Sequence, residues 1–197
     1  MTRTRRNGFT LIELIITLVI LVIIVVLAAP SFVDTLDRRR VINATQALTT
    51  QIQQARSLAI TRNAAVTLVI DGTVGSPSAE WCFGLTTAPP CNCSVTAAGA
   101  AGACLVDLPD LGETQLIRSD ESSFPGVVLG SLDSTPLQLT FEPTRGLPVN
   151  WTLDSIGNSE FTFESPRGLR TLIEVSRLGR ITTCSPAGSM LGGIDPC

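Results

Sequence analysis

The sequence predicts an α+β fold: a long N-terminal helix, transmembrane in its first half and amphipathic in its second, packed on a C-terminal, mostly antiparallel β-domain. Three observations carry that expectation. Phe9–Ala29 is a stretch of twenty-one residues with one formal charge, Glu13. Beyond it a helical apolar period resumes and runs to about Asn63. After Asn63 the period becomes that of strands, punctuated at short spacing by Gly, Pro, Asp and Asn.

The apolar stretch comes first. At about 1.5 Å per residue it crosses a hydrocarbon core of roughly 30 Å as a helix. Arg3, Arg5 and Arg6 precede it with no acidic residue among them. The positive-inside rule therefore puts the N-terminus in the cytoplasm and the remainder outside. Arg38, Arg39 and Arg40 on the far side mildly oppose that rule, with Asp34 and Asp37 beside them. An ordinary secretory signal fits badly. The apolar region is too long, and Ala28-Ala29 is followed by Pro30 and more helical pattern. Pro30 removes one helical hydrogen bond and is expected to kink the axis. Val41, Ala44, Leu48, Ile52, Ala55 and Ala59 then form one apolar stripe, with Thr45, Thr49, Gln53 and Gln54 expected opposite.

The β-domain is expected to use strands at Ala65–Ile70, Trp81–Leu85, Thr114–Arg118, Val127–Leu132, Leu137–Phe141, Trp151–Leu153, Glu160–Glu164, Leu172–Arg177 and Arg180–Cys184. Asp71-Gly72 reads as a turn closing the first of them. Residues 86–104, rich in Ala, Gly, Pro, Cys and Thr, read as a cross-linked excursion. All six cysteines lie beyond the membrane segment, in what the topology makes an oxidising compartment. Cys184 and Cys197 are expected to form a C-terminal staple. Cys82, Cys91, Cys93 and Cys104 are expected to pair among themselves, in an order left open. A zinc site at Cys91-Asn92-Cys93 lacks the usual CxxC spacing and any histidine.

Little in the chain suggests catalysis. It has no histidine, so no Ser-His or Cys-His nucleophilic pair. Asp120-Glu121, and Asp107 with Asp110, lie in turn-like sequence and read as solvated loops. No glycine-rich phosphate loop follows a strand. The expectation is no enzyme, no metal and no cofactor. One binding candidate stands out: Arg167, Arg170, Arg177 and Arg180 fall within fourteen residues, against Glu174 alone. A tight turn at Gly179 would bring the strands bearing them side by side, where guanidinium groups grip phosphates.

The segment Gly8-Phe9-Thr10-Leu11-Ile12-Glu13-Leu14, behind its basic leader, resembles the class III signal of type IV prepilins and type II secretion pseudopilins. The end of the helical pattern, Ala55-Arg56-Ser57-Leu58-Ala59-Ile60-Thr61-Arg62-Asn63, narrows the resemblance to the GspH/FimT group of minor pilins and pseudopilins, which includes FimU. Phe141-Glu142-Pro143 with Gly146, and the run Ile173–Ile181, resemble that group too. The match is strong over the first 63 residues, moderate over about the last 45, and poor from Gly72 to Ser134.

The resemblance implies a pilin fold and a division into a cleaved leader (1–8), a transmembrane half-helix (9–29), an amphipathic periplasmic half (30–63) and a disulfide-containing β-domain (64–197). It implies cleavage by a prepilin peptidase after Gly8 and methylation of the new N-terminal Phe9. Glu13 would pair with the Phe9 amine of a neighbouring subunit, and proline commonly marks the point corresponding to Pro30. The implied role is a structural subunit that primes or caps a type IV pilus or type II secretion pseudopilus. It would sit in the bacterial inner membrane among other pilins, with its C-terminal domain in the periplasm. The alternative is a pilus-associated receptor for DNA uptake in natural transformation. Some FimT proteins bind DNA through Gly-Arg-x-Arg, but here Gly179-Arg180-Ile181-Thr182 lacks the second arginine.

Overall fold

The computed structural model describes residues 9–76, 80–108, 112–134, 136–149, 158–189 and 191–197. Helix α1 spans Leu11–Arg62, and the compact units divide at Leu36/Asp37. The side chains of residues 28–31 are not described, so the kink expected at Pro30 lies outside the described residues. The first unit contains the apolar part of α1. That helix is long and apolar enough to cross a membrane.

The second unit begins at Asp37 and contains the rest of α1 and the β-domain. Its strands are β1 (Val66–Gly72), β2 (Trp81–Thr86), β3 (Leu105–Leu108), β4 (Glu113–Leu116), β5 (Arg118–Asp120), β6 (Val128–Leu132), β7 (Leu137–Phe141), β8 (Asn158–Glu164), β9 (Arg170–Ser176) and β10 (Ile181–Cys184). They form two four-stranded sheets, ordered β5-β2-β1-β7 and β10-β9-β8-β6, and a β3-β4 pair. All pairings between these strands are antiparallel. The fold is α+β.

One core joins the helix to both sheets. Val41, Ala44, Leu48, Ile52, Ala55 and Ala59 are all at most 1% exposed, as their three- and four-residue spacing requires. They pack in one cluster with Val66, Leu68 and Ile70 of β1, with Phe161 and Phe163 of β8, and with Ile173 and Val175 of β9. Trp81 links the sheets. Its ring centroid is 5.9 Å from Phe83 on β2 and 5.0 Å from Phe163 on β8. Its indole N–H donates to the Val127 carbonyl at 2.8 Å, so this buried aromatic leaves no donor unpaired.

The structure corrects four local expectations. Thr45 is buried, not on the outer face: its hydroxyl donates to the Val41 carbonyl and shares a 2.7 Å bond with the Thr171 hydroxyl of β9. Two satisfied hydroxyls can occupy a core position that apolar patterning would deny them. Asp71 and Gly72 are not a turn but the end of β1, paired with Cys82 and Trp81. Glycine is needed there because a Cβ would lie 2.5 Å from that of Trp81. The expected strand Thr114–Arg118 is two strands. At the break, Ile117 donates to the Cys104 carbonyl and accepts from the Leu85 N–H. Strand β3 follows the cysteine-rich excursion directly and was not expected. The expected strand at Trp151–Leu153 lies outside the described residues.

Candidate functional site

Thr10 opens α1 as its N-cap. Its hydroxyl accepts from the Glu13 N–H at 3.3 Å, and its carbonyl accepts from the Leu14 N–H at 3.2 Å. Thr10-Leu11-Ile12-Glu13 has capping-box spacing, and a carboxylate in the first turn suits the positive end of the helix dipole. The T-x-x-E spacing makes this helix start legible in the sequence. Glu13 is exposed, and among the described residues its carboxylate has no partner. Every large apolar side chain from Phe9 to Leu27 is at least 46% exposed within the chain. A surface that apolar needs lipid or other helices around it. Gly8 lies outside the described residues.

The four arginines near the C-terminus do not form one cluster. Arg170 starts β9, whereas Arg177 and Arg180 lie in the turn after Ser176, roughly 20 Å away at the rise of a strand. Arg167 pairs with Asp37 at 3.4 Å, and Arg170 with Glu164 at 3.0 Å. The β9–β10 turn does close tightly: Gly179, at φ +71°, donates to the Ser176 carbonyl and Ser176 donates to that of Arg180. Arg177 and Arg180 are exposed, and among the described residues neither has an acidic partner. Sequence reasoning missed Arg56 on α1, whose Nη1 donates to the Gly179 carbonyl at 3.4 Å. It brings a third guanidinium to this turn from a part of the chain 123 residues away.

Cys82 bonds Cys93, Cys91 bonds Cys104 and Cys184 bonds Cys197. The first two bridges interleave and tie the excursion to β2, so all six thiols are committed. Asp120 and Glu121 are engaged structurally. Asp120 accepts from the Ser122 hydroxyl and from Arg118, both at 2.5 Å. The Ser122 bond, followed by Arg118, holds its pKa below the ordinary carboxylate value against the opposing effect of burial. Glu121 accepts from the Trp81 N–H. Asp110 lies outside the described residues. A cleft of about 520 Å³ is lined by Arg62, Thr86, Thr87, Leu105 and Asp107, among others. Within it Arg62 donates to the Asp107 carbonyl, which is a packing contact rather than a catalytic arrangement.

The model of the family described as "Type II transport protein GspH" matches residues 44–179. The chain belongs to the GspH family. A second model, the prokaryotic N-terminal methylation motif, matches residues 3–29 of this GspH-family chain. Two crystal structures of the type IV minor pilin FimU from Pseudomonas aeruginosa strain PAO1 are similar in shape. The form in space group P65 is 17% identical, covers 75% of this chain and 98% of its own, and has a TM-score of 0.41. The form in P21 is 16% identical, with 78% and 97% covered and a TM-score of 0.43. No curated protein matches in sequence. As a GspH-family member the chain is of the minor pilin and pseudopilin class, whose members are structural subunits rather than enzymes.

Proposed function

We propose that this chain primes or caps a thin filament, either a type IV pilus or a type II secretion pseudopilus. Before assembly it sits in the bacterial inner membrane with the β-domain in the periplasm. The observation that carries this reading is the composition of α1. Its first part exposes every large apolar side chain from Phe9 to Leu27, and from Val41 onward it gives one stripe to the core of a β-domain. A subunit so built can stay in lipid and exchange lipid for neighbouring helices.

The same reading assigns the ends of the proposed parts. Peptidase cleavage after Gly8 removes residues 1–8, and methylation of Phe9 follows. The membrane half then ends near Ala29, and the β-domain begins near Ala64. Glu13 supplies the register. A carboxylate in the membrane costs about 2.5–3.5 kcal/mol on insertion scales and finds a partner where it can. Here that partner is the Phe9 amine of the next subunit. Glu13→Leu is expected to insert as well as or better than the parent, yet be depleted from sheared filaments. Equal recovery of the two proteins in sheared filaments sinks the assembly role. The mass of the membrane-extracted protein tests the leader separately, since a chain still starting at Met1 beside an active peptidase has no cleavage site at Gly8.

A second reading, a receptor for DNA, has one observation in its favour: Arg56 joins Arg177 and Arg180 at the β9–β10 turn. Thr182 stands where the DNA-binding pattern has its second arginine, and weakens it. Arg167 and Arg170 would contribute little to such a site, because they lie at the other end of β9. Titration of the full chain with duplex DNA tests this.

A further inference from the structure

The second unit begins with a concentration of arginine that neither proposed role uses. Asp37 is buried, 6% exposed, and holds two guanidinium groups: Arg40 Nη1 at 3.4 Å from Oδ1 and Arg167 Nε at 3.4 Å from Oδ2. Arg167 belongs to the turn between β8 and β9, so this one carboxylate ties that turn to α1. Arg40 also lies against the corner formed by Gly126 and Pro166. Arg38 reaches the C-terminal loop, where its Nη1 is 2.6 Å from the point a Cβ would occupy on Gly192. The same loop is bound to Arg170, whose backbone N–H donates to the Ser189 hydroxyl and whose carbonyl accepts from it. Thus Arg38 and Arg40 of α1, Arg167 of the β8–β9 turn and Arg170 at the start of β9 lie at this end of the unit, with Arg39 beside them in sequence.

The charge of this end is lopsided. Five arginines face Asp37 and Glu164, with Asp34 one turn earlier on the helix, in a chain whose net charge is −3. Arg38 and Arg39 are exposed and, among the described residues, have no acidic partner. The paired ones are not used up. The side chains of Arg40, Arg167 and Arg170 remain 43%, 44% and 54% exposed, and a guanidinium has five donors. Asp37 therefore positions Arg40 and Arg167, and Glu164 positions Arg170, with all three side chains still reaching the surface. Arginine forks match phosphate oxygens in pairs, which a single ammonium cannot do.

Chain connectivity says which anion is near. Arg38 lies only eleven positions after Leu27, the last residue of the exposed apolar run whose side chain is described. Even fully extended, that stretch spans at most about 40 Å. We propose that this arginine group binds the phosphates of anionic phospholipid headgroups in the membrane that α1 spans. This rests on the membrane-spanning reading above. The patch would hold the β-domain on the bilayer before assembly, and the contact would be given up when the subunit leaves for the filament. It also supplies a use for the Arg38-Arg39-Arg40 run, which positive-inside bias would rather exclude from this side.

The test uses the full chain in nanodiscs of phosphatidylcholine, with or without a quarter phosphatidylglycerol, followed by amide hydrogen exchange. Anionic discs at low salt are expected to slow exchange in the 165–169 turn and the 191–194 loop by at least fivefold. Each arginine removed from the surface is expected to weaken binding by up to about fivefold, so a double variant should lose most of that protection. Arg38→Gln with Arg39→Gln is the variant of choice, because it leaves the Asp37 pairs intact. Unchanged exchange in β1 checks that its fold is sound. Equal exchange in the two discs overturns the proposal, as does full protection in the double variant. Equal protection in neutral discs on adding inorganic phosphate would mark a free-anion site instead, and protection by duplex DNA but not by anionic lipid a nucleic-acid site. Either result overturns the lipid assignment. Failure to enter both discs would overturn the membrane reading itself, a result distinct from entry without headgroup dependence.

Discussion

The two ends of β9 carry the same kind of side chain and treat it differently. At the entry end, Arg167 and Arg170 are tied to Asp37 and Glu164, and Asp37 is itself buried. At the exit end, Arg177 and Arg180 stand on an exposed turn with no carboxylate paired to them among the described residues, and the half-buried Arg56 approaches the turn at a backbone carbonyl. In sequence the four arginines look like one patch. An extended strand between them makes them two. The entry end is part of how the sheet is attached to the helix, and the exit end is free surface. Substitutions should therefore separate the ends sharply in stability.

The largest effect is expected from Asp37→Ala. It removes the buried carboxylate from between Arg40 and Arg167 and loosens the tie of the β8–β9 turn to α1. Both arginines are partly solvated and can turn outward, so the loss is set below that of a fully buried pair, at about 2 kcal/mol. Urea unfolding should show an earlier midpoint with an unchanged slope. A loss under about 0.5 kcal/mol would mean that the two ends do not differ after all.

A carboxylate elsewhere gives an intermediate reference. Asp120 on β5 is held below its ordinary pKa by Ser122 and Arg118. A depressed folded-state pKa means that its contribution is fully present above the unfolded value, near 3.9, and is lost as pH falls through the folded value. Asp120→Asn should therefore cost about 1 kcal/mol at neutral pH, and the gap between variant and parent should close under acid. A gap that is constant with pH would assign the effect to packing of the β2–β5 edge rather than to charge.

Much of this was readable in advance, for reasons that differ by element. The α1 stripe was legible because burial at a helical period leaves a direct mark on residue type, and all six predicted positions are buried. Thr45 was not, since its burial depends on a hydroxyl partner, Thr171, 126 residues away. Gly72 looked like a turn residue because close approach of Trp81 and turn formation both select glycine. The arginines misled by proximity in sequence, which says nothing of distance once a strand intervenes. Arg56 and Asp37 were missed for the converse reason. Their partners, Gly179 and Arg167, come from the far end of the chain, and no local pattern announces them.

The smallest effect, and the sharpest statement of the comparison, is expected from Arg177→Gln with Arg180→Gln. Exposed side chains with no charged partner among the described residues have little folded-state interaction to lose, so the double change should alter stability by no more than about 0.5 kcal/mol. Its value is that any functional loss can then be read without correction for unfolding. If the turn grips DNA, each lost phosphate contact should flatten the log–log salt dependence by about 0.9 on duplex DNA. The loss should also be equal for all sequences, because phosphate contacts carry no base information. Thr182 in place of the second arginine argues for weak or no binding by the parent chain. No binding at low salt and micromolar protein would remove the receptor reading and leave the filament subunit. Tight binding that the double variant retains would move the site to another surface. The arginine group around Asp37 would then be the next to examine, since no basic residue lies between Cys82 and Cys104.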